Sequence, residues 1–134
     1  MTTPLSDNAD AADDPYWRAR HQLASAARQL NEKLISTDIP PAQAMALSHE
    51  LSRFTETLNR FPHVGGLMDM ARRRPTDGMD TIMGELVAMA GRSHPCSPEI
   101  TWHAEPQQLR GTVTFGQAFE GPPGHVHGGW VAVV

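Results

Sequence analysis

Residues 109–130 read LRGTVTFGQAFEGPPGHVHGGW and carry three local signals in one short stretch. Apolar and polar residues alternate over 109–115, which is typical of a β-strand. The glycines and prolines of residues 121–124 predict a turn. A glycine pair at 128–129 then precedes the apolar run that closes the sequence, which favours the start of a helix. We therefore predict a strand, a tight turn and a helix start, in this order.

A second strand is predicted immediately upstream. Ile100, Trp102 and Ala104 alternate with Thr101 and His103, and the polar residues 105–108 interrupt the alternation before the next strand begins. Two alternating runs joined by a short polar connection indicate a β-hairpin. The three tryptophans of the chain are interpreted as packing residues rather than as a binding platform.

The N-terminal half predicts two helices. Asp14-Pro15 is a helix-start signal, and the first helix is expected to end near Ser36; the second is expected between Pro40-Pro41 and Phe61-Pro62. We expect the two apolar stripes to be buried against each other in an antiparallel helical hairpin, with a partner-binding face as the alternative. The stripes are Leu23, Ala27, Leu30 and Leu34, and Ala44, Leu47, Leu51, Phe54 and Leu58.

The predicted organisation is an acidic, disordered tail at 1–14, a helical hairpin at 15–62, an irregular linker with short helices at 63–98, and a β-rich part at 99–134. The fold class is α+β. The only basic run, Arg72-Arg73-Arg74, is interpreted as a solvated helix end, with an anion site as the alternative.

Composition excludes several classes of function. Asp and Glu number 15 against 11 Lys and Arg, with Lys33 as the single lysine, so no basic stripe for nucleic acid is present. No apolar run approaches the roughly 18 residues of a membrane span, and the start of the chain does not resemble a signal peptide, so we expect a cytoplasmic protein without membrane contact. Neither the lone Cys96 nor the histidines at 103, 125 and 127 have zinc-site spacing, and we expect no metal and no cofactor.

The glycine pair is the chemically informative feature. Adjacent glycines at a helix start let a ligand approach unpaired backbone N–H groups that carry partial positive charge. Such groups suit the oxyanion that forms on a carbonyl during acyl transfer. His127 could hydrogen-bond to the same carbonyl, could fix the turn, or could have no chemical role.

Residues 120–129, together with the strand at 110–115, resemble the signature of hotdog-fold acyl-CoA thioesterases of the PaaI-like superfamily. The resemblance implies a long central helix wrapped by an antiparallel sheet, in a homo-oligomer when the domain is complete. Residues 99–134 would form an incomplete hotdog in which the chain ends at the start of that helix. The implied activity is hydrolysis of an acyl-CoA thioester.

The resemblance also implies the site residues. His127, Gly128 and Gly129 would polarise the thioester carbonyl, and Gly124 and Val126 would contact the substrate. The family's catalytic carboxylate would fall about nine residues after His127, roughly two positions beyond Val134, so we expect little activity from this chain alone. Glu120 is interpreted as a turn residue rather than as a substitute base. The alternative function is a non-enzymatic helical interaction protein with a remnant hotdog segment.

Overall fold

The computed structural model describes residues 14–133. The described part contains five α-helices and one two-stranded antiparallel sheet, so the predicted α+β class is confirmed. The predicted disorder of the acidic tail lies almost wholly outside the described residues. No helix within residues 14–133 combines the length and the apolar character that crossing a membrane requires.

Two long helices come first and two short helices follow, before the hairpin and a last short helix. The elements are α1 (Pro15–Ser36), α2 (Pro41–Leu58), α3 (Leu67–Arg73), α4 (Gly78–Leu86), β1 (Ile100–Glu105), β2 (Gln108–Val113), a 3₁₀ turn (Gln117–Phe119) and α5 (Gly128–Val133).

The long helices begin where the sequence predicts. The carboxylate of Asp14 accepts the N–H of Tyr16 at 2.8 Å, and Pro15 occupies the first helical position, where its missing N–H costs nothing. Pro41 likewise occupies the first position of α2, which begins without a side-chain cap. The predicted bounds of both helices are therefore confirmed to within a few residues.

The core lies between the start of α1 and the two short helices. Trp17, Met70 and Ile82 are buried together, and Tyr16 and Leu67 pack against them. The Tyr16 and Trp17 rings meet edge to face, with 5.0 Å between their centroids. Burial of these large side chains stabilises the contact of α1 with α3 and α4.

The prediction that the two apolar stripes are buried against each other is wrong for the described residues. Leu23, Leu30 and Leu51 are 55 %, 39 % and 37 % exposed, and α2 has no buried residue. The stripes border two open cavities. Leu23 and Leu30 on α1 and Phe54 and Leu58 on α2 flank one of about 360 Å³, and Leu34 and Leu51 lie beside the other, of about 460 Å³. Three of the residues that line the first cavity on α1 are alanines, which have short side chains.

The arginine run is only partly a solvated helix end. Arg72 and Arg73 lie in the last turn of α3 and pair with Asp69 at 3.7 and 3.3 Å. Arg74 departs from the prediction because its guanidinium lies 4.1 Å from the centre of the Tyr16 ring and pairs with Asp77. The contact with the Tyr16 ring and the ion pair with Asp77 both hold Arg74 at the edge of the core.

The predicted β-hairpin is confirmed. Strands β1 and β2 pair antiparallel from Ile100 opposite Val113 to Glu105 opposite Gln108. Trp102 lies directly across from Gly111, and a Cβ at position 111 would stand 2.7 Å from its ring. Both strands are exposed over most of their length, so residues 14–133 place no packed layer over the hairpin.

Candidate functional site

His127, Gly128 and Gly129 lie at the N-terminus of α5, as the sequence predicts. The carbonyl of His127 accepts the N–H of Trp130 at 2.9 Å, which closes the first turn of the helix. Backbone N–H groups at such a position point away from the helix body and carry partial positive charge.

The expectation that both glycine N–H groups are unpaired is wrong for Gly129. Its N–H donates to Nδ1 of His127 at 3.1 Å, because the imidazole folds back over the helix start as a cap does. Gly128 N–H has no acceptor among residues 14–133. Since Nδ1 accepts this bond, Nε2 is the ring nitrogen of His127 that is left to donate.

The loop before α5 is closed by hydrogen bonds that position His127. The N–H of His127 donates to the carbonyl of Phe119 at 2.9 Å, and the N–H of Gly121 donates to the carbonyl of His125 at 2.8 Å. A Cβ at position 121 would stand 2.9 Å from Cα of His127. Glycine at 121 therefore permits the close approach that places His127 at the helix start.

The turn itself depends on Gly124 and Glu120. Gly124 has φ of +76°, a conformation that favours glycine, and its N–H donates to the Glu120 carboxylate at 2.7 Å. Nδ1 of His125 donates to the Pro123 carbonyl at 3.0 Å. Glu120 thus fixes the turn, as its interpretation as a turn residue predicts.

Three aromatic rings connect α5 to the segment that follows β2. Phe119 meets Trp130 edge to face at 4.8 Å and meets Phe115 at 5.5 Å between ring centroids. These contacts connect Phe115, two residues after the end of β2, with the 3₁₀ turn and α5. The packing interpretation of Trp130 is confirmed by this arrangement.

Glu32 is a positioning residue that the sequence did not reveal. Its carboxylate accepts the N–H groups of Gln117 and Ala118 at 2.8 and 3.0 Å, and so binds α1 to the 3₁₀ turn. The bond from Ala118, followed by that from Gln117, lowers the pKa of Glu32 below its ordinary value. The sequence does not distinguish Glu32 from a solvated glutamate, because both lie on the polar face of a helix.

The predicted substrate contacts lie in a cleft beside the motif. Gly124 and Val126 line a cleft of about 330 Å³ together with Glu32 and Phe115. His127, Gly128 and Gly129 do not line this cleft. The structure thus places the two groups of predicted residues next to each other along the chain but divides them between a cleft and a helix start.

A cluster of metal-ligating side chains is absent from the described residues. Within residues 14–133, no three His, Cys, Asp or Glu side chains converge in a way that could hold a metal ion. Cys96 is exposed, and its N–H donates to Nδ1 of His94 at 3.2 Å.

No protein-family model, curated protein or solved structure matches this chain.

Proposed function

We propose that this protein belongs to the hotdog acyl-CoA thioesterases, with the β-hairpin and α5 as the first part of the hotdog sheet and its central helix. The thioester carbonyl would lie at the start of α5. The observation that carries the proposal is the Gly128 N–H, which is free of an acceptor within residues 14–133 and stands beside the imidazole of His127.

The two donors suit the charge that develops in thioester cleavage. As a nucleophile adds to the carbonyl carbon, its oxygen becomes an oxyanion, and the C–S bond then breaks to release the CoA thiolate. One preorganised N–H donor is worth roughly 3 kcal/mol in such a step. Gly128 N–H and Nε2–H of His127 would share this role, while Gly129 N–H holds the ring in position.

General-base assistance is not supplied by α5, because its sequence, Gly128–Val133, contains no carboxylate. Attack by water needs a base, which contributes about 10²–10⁴ in rate. Hydroxylamine is a stronger nucleophile that attacks thioesters without this help, giving a hydroxamate and free CoA. It therefore tests the carbonyl-polarising site separately from the base.

The experiment measures CoA thiol release from acetyl-CoA and benzoyl-CoA with hydroxylamine present. We expect the chain to accelerate release, and we expect Gly128→Pro to return it to the buffer rate because proline lacks the N–H. Proline is tolerated at the first helical position. Gly128→Ala is the matched control, since it keeps the N–H and its Cβ meets no atom within 4 Å.

Equal rates for Gly128→Pro and Gly128→Ala would contradict the proposal, as would a chain that never exceeds the buffer rate. Without hydroxylamine, the 134-residue polypeptide is expected to hydrolyse either thioester no faster than its His127→Ala variant. Hydrolysis that this substitution abolishes would show that a base outside α5 assists water.

A second candidate function is a helical interaction protein, favoured by one observation: every residue of α2 is exposed, including its apolar stripe. Apolar surface of this kind marks interaction sites. This candidate predicts assembly through α1 and α2 without acceleration of thiol release, so the hydroxylamine assay separates the two.

A further inference from the structure

A separate cleft of about 280 Å³ lies between the middle of α1 and residues 90–100. It has room for roughly nine water molecules at liquid density. Its lining combines basic and polar side chains with an apolar side: His21, Gln22, Ser25, Arg28, Ala90, Arg92, Pro98, Glu99 and Ile100. None of these residues takes part in the proposed thioesterase site.

A fully buried carboxylate organises one side of this cleft. Glu85 is 0 % exposed, and its two oxygens accept bonds from Nη2 of Arg92 at 2.5 Å, from Oγ of Ser93 at 2.8 Å and from Nε2 of His21. A buried carboxylate with three partners restricts the rotamers of those partners. His21 and Arg92 are therefore fixed in the cleft wall, and the charge of Arg92 is balanced by Glu85.

Arg28 supplies a positive charge that no carboxylate balances. Its Nη1 donates to the carbonyls of Arg92 and His94 at 3.4 and 3.1 Å. These carbonyls accept hydrogen bonds from Arg28 but carry no net charge. No Asp or Glu oxygen within residues 14–133 lies within 4.0 Å of Arg28. Glu99 also lines the cleft, and it makes no ion pair with the described residues.

We propose that this cleft binds the phosphate group of a small phosphomonoester. Arg28 and Arg92 present planar guanidinium donors to the phosphate oxygens, a geometry well matched to this group. The apolar side, formed by Ala90, Pro98 and Ile100, contacts the organic part of the ligand. The bound phosphate gives Arg28 the anionic partner that it lacks in the free protein.

Calorimetric titration of the full chain with phenyl phosphate at constant ionic strength tests the proposal. Arg28→Gln removes the unbalanced charge and retains an amide donor, and it should weaken binding by about tenfold or more. Arg18→Gln is the matched control: Arg18 is exposed on the same helix, about 15 Å away along its axis, and its loss should change affinity less than twofold. Glu99→Gln should tighten binding about twofold to threefold, because a like charge is removed.

Inorganic phosphate should bind more weakly than phenyl phosphate, and phenol should not bind. A chain that binds no phenyl phosphate, or one that binds it equally well after Arg28→Gln, would overturn the proposal. So would capture by phosphatidic acid vesicles without binding of phenyl phosphate, since the group recognised would then be a lipid headgroup.

A measurement on the native chain tests the proposal even if Arg28→Gln does not fold. The Nε–Hε signal of Arg28 in nuclear magnetic resonance spectra should shift on addition of phenyl phosphate, while that of Arg18 stays in place. Shifts of equal size at both arginines would indicate nonspecific screening and would contradict a site. Failure of this proposal leaves the thioesterase proposal unaffected, because the two share no residue.

Discussion

Asp77 connects the core to the charged residues at its edge. Its carboxylate accepts Nε1–H of Trp17 at 2.9 Å and pairs with Arg74. Burial alone would raise the pKa of Asp77, but the hydrogen bonds from Arg74 and Trp17 outweigh it and leave the pKa below the ordinary value. The same Asp77 bond raises the pKa of Arg74. The ionised pair is therefore part of the folded state.

Asp77→Asn should lower the free energy of unfolding by about 1–3 kcal/mol, the usual range for losing hydrogen bonds to a charged group. Urea denaturation followed by Trp fluorescence measures it. Asp38→Asn, at an exposed loop position, makes the same chemical change and should stay within about 0.5 kcal/mol. Equal effects at 77 and 38 would show that the charge of Asp77 beside Arg74 contributes nothing measurable.

At the scale of elements, a single side chain joins α1 to the segment that leads into α5. Glu32 receives two backbone N–H groups of the 3₁₀ turn, 85 and 86 residues away along the chain. The bonds satisfy donors that would otherwise need water. Because the pKa of Glu32 is lowered in the folded chain, its contribution to stability is present above the unfolded pKa and is lost as the pH falls through the folded pKa.

Glu32→Gln should therefore change the pH dependence of stability. The difference in melting temperature between the native chain and this variant should be largest near neutral pH. It should shrink as the pH falls through the lowered pKa of Glu32, because the native carboxyl then becomes protonated as well. Glu50→Gln, on the exposed face of α2, is the control and should show no such dependence. A difference that stays constant from neutral to acid pH would contradict the role of the ionised carboxylate.

The elements that local signals specify were predictable, and those that depend on distant partners were not. Asp14-Pro15 and Pro41 begin helices through their own backbone chemistry, and the alternation at 100–113 predicts a hairpin from neighbouring residues. The bonds of Glu85 to His21, 64 residues away, and of Glu32 to the 3₁₀ turn have no local signature. The helix start at His127 was predictable from the glycine pair, whereas the ring rotamer that occupies Gly129 N–H was not.

The helical stripes show a further limit of periodicity. A stripe of leucines identifies an apolar face, and it does so correctly on α1 and α2. It does not identify what covers that face. On α1 the buried positions are Trp17 and Ala24, which lie two turns apart and were outside the predicted stripe. Trp17 is buried because Met70 of α3 and Ile82 of α4 pack against it.

At the scale of the whole molecule, large apolar side chains are exposed on the two long helices. They include Leu23, Leu34, Met45, Leu47 and Phe54. Contiguous apolar surface of this kind is rare on isolated monomers.

We expect a second copy of the chain to cover these helices. The stripes lie on adjacent helices of the same chain, so a twofold arrangement would bury the same face of each copy, as in most homodimers. Light scattering should give a mass that rises with concentration from 14.7 kDa toward twice that value. Leu51→Glu should abolish the rise, because a charge would be buried in the shared face.

Met68→Glu is the matched control, since Met68 is an exposed apolar residue on α3, away from the stripes, and it should leave assembly unchanged. Leu and Glu have similar helix propensities, so Leu51→Glu should leave the helical content of the chain unchanged by circular dichroism, and a loss of mass would then report on the face itself. A native chain that stays at the mass of one copy at every concentration would contradict self-association. Assembly that persists in Leu51→Glu would assign the contact to another surface, such as the exposed β-hairpin, whose strand edges are open to pairing.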